Sequence, residues 1–229
     1  MKILAIGAHP DDIEIFMFGF LCCCKQLGYE ISIVVATDGA LGGNNNDNKL
    51  VENRKKETQD GLNKLGIPLL LGLPDGNLGN DPKHTNIIKN SIQKINPDLV
   101  VTHFYRDYHS DHTNLSQIVK TVTGHYVPVL YCDTMMGINF LPNYYVDITK
   151  YMNDKITSIS SHKTQKPERF VNLAKLMNSY RSAQCNLPKG SFAEAYFFEP
   201  SFPFSDIRKI LPESPNIRPF HIKHINGFL

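Results

Sequence analysis

Two short runs of this sequence gather imidazoles and carboxylates: Ala8-His9-Pro10-Asp11-Asp12 near its start and His109-Ser110-Asp111-His112 near its middle. Neither run offers a thiolate, and such hard and borderline donors suit a catalytic Zn²⁺ with bonds of roughly 2.0–2.2 Å. The expected ligands are His9, Asp12 and His112. His-x-x-Asp in a tight turn stiffened by Pro10 presents two side chains to one point, and His112 approaches from a facing loop. Three ligands leave a position for water, whose pKa such an ion brings towards about 7. Asp11, beside a ligand yet not obliged to bind, is the expected base for attack of that water on an amide carbonyl. His109 is expected to be the general acid: as imidazolium it steadies the oxyanion and then protonates the departing amine, with Asp111 raising and orienting it. Two imidazoles and one carboxylate discriminate weakly between divalent ions, so Fe²⁺ and Co²⁺ are alternatives to Zn²⁺.

Each motif alone recurs by chance, and their joint weight depends on where the chain puts them. Apolar strands alternate with amphipathic helices over the first 135 residues, the signature of an α/β domain with a parallel sheet. Strands are expected at Ile3–Ala8, Ile31–Ala36, Leu69–Leu73, Asp98–Thr102 and Val127–Cys132. Helices are expected at Ile13–Leu27, ended by Gly28, and at Val51–Leu65, Asp81–Ile95 and Leu115–Val122. The two motifs then follow strands one and four, and in an open doubly wound sheet these strands flank the ligand crevice. Asn44-Asn45-Asn46 reads as a loop. Further on, strands at Tyr144–Ile148 and Glu194–Glu199, with helices around Tyr151–Ser161 and Glu168–Tyr180, are expected to cap the sheet. Five prolines after residue 199 predict an extended tail lying on the surface or on a neighbouring subunit.

Composition excludes several classes of function. The 229 residues carry 41% hydrophobic and 20% charged side chains, enough for one good-sized core. A formal net charge of +2 gives no field that would dominate binding to nucleic acid or anionic lipid. His9, Asp11, Asp12 and Glu14 interrupt the first apolar run too early for a signal peptide or spanning helix, so a cytoplasmic protein without an integral membrane segment is expected. Cys22, Cys23 and Cys24 are consecutive, which fits reduced thiols around a helix better than a disulfide framework. His84, His103, His125, His221 and His224 lack carboxylates at ligand spacing and read as structural or exposed. His162, between two helices, reads as mainly structural, with reach into the crevice as the alternative.

With these residues in hand, the chain resembles the PIG-L (LmbE-like) zinc-dependent de-N-acetylase family, whose AHPDD stands as Ala8–Asp12 and whose HxDH stands as His109–His112. Thr37-Asp38-Gly39 with Gly42-Gly43, Asn53–Glu57, Leu73–Gly76, Pro97–Val100, Asp107-Tyr108, Tyr145–Ile148 and Ala193–Tyr196 look like family blocks in family order. The resemblance spans residues 1–199 and leaves 200–229 as a Pro-rich extension. It implies a Rossmann-like three-layer αβα fold with a mostly parallel sheet and C-terminal capping elements. It also implies zinc on His9, Asp12 and His112, Asp11 as base, His109 as acid, and Arg54 on substrate hydroxyls, a role that suits its planar fork. The implied reaction removes acetate from an N-acetylglucosamine-type sugar conjugate to leave a free amine, in what is expected to be a homo-oligomer. A hydrolase of another N-acyl amide and a non-catalytic binding protein of the same fold are the rivals. One departure is Ile15–Phe20, bulky where family members often place small glycines.

Overall fold

The computed structural model describes residues 1–43 and 49–216. Asn44–Asn46 and the chain beyond 216, with His221 and His224, lie outside the described residues. Seven strands form one sheet: β1 (Lys2–Gly7), β2 (Glu30–Thr37), β3 (Leu69–Leu73), β4 (Leu99–Thr102), β5 (Val129–Cys132), β6 (Tyr144–Asp147) and β7 (Ala193–Phe198). Their order is β3-β2-β1-β4-β5-β7-β6, parallel from β3 to β5 and antiparallel at β5–β7 and β7–β6. Ile3 pairs with Ile31 on one side and with Leu99 on the other, so the chain reverses direction between β1 and β4. The crevice expected of a doubly wound sheet therefore opens there, beyond the carboxyl ends of those two strands.

Burial on both faces of the central strands explains their unbroken apolar runs. On one face Ile3, Ala5, Ile33, Val35, Leu99 and Val101 share a core with Phe18, Leu21 and Ile159. On the other, Leu4, Ile6, Val34 and Val100 pack against Ile88, Ile92, Leu115 and Val119. Helices cover both faces: α1 (Asp12–Phe16), α2 (Phe18–Gln26), α3 (Leu50–Gly61), α4 (Pro82–Ile95), α5 (Ser110–Thr123), α6 (Met152–Ile159) and α7 (Glu168–Gln184). The fold is α/β and three-layered, as the alternation of patterns predicts. No helix of the described residues is long and apolar enough to cross a membrane.

Three elements differ from expectation. The first long helix breaks at Met17 (φ −129°), and α2 restarts under the Glu194 carboxylate, which accepts the N–H groups of Gly19 and Phe20 at 2.9 and 2.8 Å. A carboxylate at a helix N-terminus satisfies donors that have no partner within the helix. Helix α5 begins at Ser110, not Leu115, so the second motif lies on a helix start instead of in a loop. Its polar first turn carries no apolar periodicity to announce it. The described part of the Pro-rich tail is anchored: Ile207 and Leu211 join the core, and the Tyr144 hydroxyl donates to the Pro212 carbonyl at 2.7 Å.

Candidate metal centre and cleft

The turn from β1 into α1 is wound tightly around its own side chains. The His9 N–H donates to Asp12 Oδ2 at 2.6 Å, and Asp11 takes φ 116°, a left-handed backbone that costs a non-glycine residue about 1–3 kcal/mol. Arg54, buried on α3, braces that strained residue. Its Nη2 donates to the Pro10 carbonyl at 2.5 Å and to Asp11 Oδ2 at 3.2 Å, while Nη1 donates to the Gly39 carbonyl at 2.8 Å. A Cβ on Gly42 would stand 2.1 Å from Nη1, so the 39–43 segment can close over the guanidinium only where a side chain is missing. Arg54 does line the cleft, but most of its donors serve the protein itself.

Across the crevice α5 brings in His112. His9 Nδ1 lies 3.3 Å from Asp12 Oδ2, His112 Nε2 lies 3.3 Å from Asp12 Oδ1, and the two imidazole nitrogens are themselves 3.3 Å apart. Ligands at about 2.1 Å around a tetrahedral ion stand about 3.4 Å from one another; the two imidazole nitrogens meet that spacing and each lies as close to one of the two oxygens of Asp12, so the two rings and the carboxylate suit a divalent cation between them. The far nitrogens are backed by carboxylates: His9 Nε2 by Asp75 at 3.1 Å and Asp111 at 3.3 Å, and His112 Nδ1 by Asp107 at 2.9 Å. Such backing would fix which nitrogen of each ring faces a bound ion. His109 and His103 also reach these ligands, but His103 Nε2, 3.1 Å from Asp12 Oδ2, already accepts the Ala8 N–H at 3.1 Å.

Electrostatics agree with a site built for positive charge. Burial works against protonation of His9, but Asp12, Asp111 and Asp75 outweigh it and hold its pKa up to about 12. His112 is likewise held up to about 9 by Asp12 and Asp107 despite its burial. His103 is pushed down to about 4 by burial and by His112, on which its ring stacks at 3.7 Å. Burial raises Asp11 to about 6 against the pull of Arg54, with Asp12 adding to the rise.

Two expected roles change once partners are visible. Asp111 does not orient His109. Its carboxylate accepts the N–H groups of Gly76 and Leu78 at 2.7 and 3.0 Å and faces His9, tying the loop after β3 to the centre. His109 is the N-cap of α5, and its Nδ1 accepts the Asp111 N–H at 3.2 Å. That bond favours a neutral ring with the proton on Nε2, and burial together with the neighbouring His112 and His9 lowers its pKa. The expected imidazolium is thus disfavoured. His162 does not line the cleft; its Nε2 meets Glu14 Oε1 at 2.7 Å in the interior.

Sequence reasoning passed over His103, Asp107 and Asp75 as site residues. His103 is fully buried, accepts the Ala8 N–H at 3.1 Å and touches Asp12, where a structural or exposed residue was expected. All three follow the carboxyl end of β3 or β4, and that position is the signal that points to them. Above the centre a cleft of about 480 Å³ opens, walled by Leu41, Tyr108, Met135, Phe16, Arg169 and Phe170.

The sequence profile described as GlcNAc-PI de-N-acetylase, PIG-L, matches residues 4–123, from β1 through the whole of α5. The chain belongs to this family. Among curated relatives of the deacetylase, Escherichia coli K12 YaiS, itself described as an uncharacterized deacetylase, is 28% identical over 178 residues, 71% of this chain and 90% of the relative. The diacetylchitobiose deacetylase of Thermococcus kodakarensis is 24% identical over 191 residues, 73% of this chain and 71% of the relative. Among solved structures, N,N'-diacetylchitobiose deacetylase from Pyrococcus horikoshii superposes with a TM-score of 0.76 at 22% identity, covering 87% of this chain and 84% of that one. A 4-carboxy-2-hydroxymuconate hydratase from Pseudomonas putida shares the fold at 0.72 and 18% identity, covering 86% and 95%. Fold alone therefore leaves the reaction open, and the site has to supply it.

Proposed function

We propose that this deacetylase hydrolyses the acetamide of an N-acetylglucosamine-type conjugate with a divalent metal ion, Zn²⁺ being the ion its donors suit best. The observation that carries the reading is that the facing nitrogens of His9 and His112, 3.3 Å apart, each lie 3.3 Å from an oxygen of Asp12, with a carboxylate behind each imidazole. Those three residues would hold the ion, through Nδ1 of His9 and Nε2 of His112. When bound, Zn²⁺ supplies Lewis acidity that sharpens water as a nucleophile and polarises the acetamide carbonyl.

The chain's own groups do the remaining work. Asp11, with a pKa about 6, takes a proton from attacking water and gives it to the amine nitrogen as the C–N bond breaks, leaving acetate and a free amine. His109 donates its Nε2–H to the oxyanion while Nδ1 stays on the helix cap. Arg54 keeps Asp11 aimed and retains one Nη1 hydrogen for a sugar hydroxyl. The test is acetate release from a panel of N-acetylated sugars by zinc-loaded and by metal-stripped protein. Release with zinc and its loss on stripping is the expected outcome; no release from any member sinks the reading.

A further inference from the structure

The cleft has two unlike walls. One is polar and built from loops: the Leu41 N–H donates to Asp75 Oδ2 at 2.9 Å and Arg54 donates to the Gly39 carbonyl, so guanidinium, carboxylate and the 39–43 backbone form one rim. The other is apolar and consists of Ile15, Phe16, Met135 and Phe170. These four belong to a single core cluster, with α1 packed on α7 and α7 on the turn Met135–Gly137. His9, Asp12 and His112 line the same cleft.

Local geometry sets Phe16 against the centre. Helix α1 starts at Asp12, so Phe16, four residues on, falls on the same face as that carboxylate, and Ile15 stands in the same relation to Asp11. The Phe16 ring meets the His112 ring edge-on, with 6.4 Å between centroids and 80° between planes, and meets His103 likewise at 6.2 Å and 77°. Only 5% of Phe16 is exposed, although it lines the cleft. A ring held by two imidazoles in front and the core behind cannot swing aside without leaving its rotamer, so its edge is a fixed stop. The proton transfers assigned to Asp11 and His109 make no use of it.

An amide bound for hydrolysis has to divide its two substituents between these walls. Its nitrogen carries the sugar, whose hydroxyls find hydrogen-bond partners at the polar rim. Its carbonyl carries the acyl chain, which has no further polar atom and is left the apolar wall, where burial favours it. An acetyl group presents one methyl to the Phe16 edge; a longer acyl group must displace the ring or overpack against it. We infer that Phe16 is the residue that sets acyl specificity in this cleft, admitting acetyl and excluding longer N-acyl chains. The inference rests on the deacetylase reading and names which N-acyl group that site takes.

The test takes the best N-acetylated sugar of the panel above with its N-propanoyl, N-butanoyl and N-hexanoyl analogues. Release of the common amine is followed for the zinc-loaded full chain, Phe16→Ala and Phe16→Leu. For the unaltered chain kcat/KM should fall about tenfold or more with each added methylene. In F16A the acetyl-to-butanoyl ratio should drop to about ten or less, with butanoyl turnover rising in absolute terms, which loss of packing alone does not produce. Leucine keeps the position filled, so F16L should stay folded by circular dichroism and gain the propanoyl substrate even where F16A does not fold. An unaltered chain that takes butanoyl as readily as acetyl, or a ratio that neither variant moves, overturns the inference while the deacetylase reading stands. If no sugar releases amine, the deacetylase reading falls, and calorimetric binding of acetate and hexanoate to the same proteins tests the stop by itself. A preference for acetate that F16L weakens keeps it; equal binding of the two acids, or none, removes it.

Discussion

Two buried charge clusters of this deacetylase look alike in composition and differ in what they leave undone. Under α2, Glu194 Oε1 accepts from Gly19 N–H and Lys155 Nζ (2.7 Å), and Oε2 accepts from Phe20 N–H and the Tyr196 hydroxyl at 2.7 Å. Every lone-pair direction meets a donor, so the cluster is closed and has only structure to supply. At the β1–β4 crevice the carboxylates also have partners, but His9 Nδ1 and His112 Nε2 face each other at 3.3 Å. Two acceptors cannot satisfy one another; a proton or a metal ion must come between them. A finished polar network reads as architecture, and one whose inner atoms all want a cation reads as a site.

Breaking the open cluster has the largest expected effect. His112→Ala or Asp12→Asn should lower kcat/KM for acetate release by about a thousandfold or more, with bound zinc lost in elemental analysis. Asp11→Asn should lower kcat by about a hundredfold or more and keep the zinc, which separates holding the ion from moving the proton. Breaking the closed cluster should show in stability: Glu194→Ala leaves Lys155 buried and unpaired, and urea unfolding should report a loss of about 3–5 kcal/mol. Full stability in that variant would erase the distinction drawn between the clusters.

Milder changes sharpen it. Chelation should lower the unfolding free energy by about 2.7 kcal/mol relative to protein held at a hundredfold excess of zinc over its dissociation constant, and reloading should restore it. Asp107→Asn, which weakens the backing of His112 and keeps an oxygen for the His109 N–H, should loosen zinc about 10–100-fold in competition with a chromophoric chelator and leave the fold intact.

Much of this was legible in the chain. Apolar runs buried on both faces announced β1 to β5, and the carboxyl ends of β1 and β4 announced where His9, Asp12 and His112 would meet. What stayed hidden depended on distant partners. The break at Met17 is stabilised by Glu194, a residue remote in sequence whose carboxylate restarts the helix. The direction of the Asp111 carboxylate is decided by the Gly76–Leu78 backbone, and local spacing carries no trace of that loop. The tautomer of His109 follows from a helix start that lacks an apolar pattern.

Asp11 shows how chain geometry restricts the choice of residue before any reaction does. Its torsion of φ 116° is one that short acidic or amide side chains tolerate, because they can bond to nearby backbone, and that longer or branched ones resist. Glutamate is chemically the same acid, yet in this bend it would be conformationally disfavoured and would carry its carboxylate further from the backbone than the base proposed above. Protein engineers seeking an alternative proton acceptor here would have to reshape the main chain first.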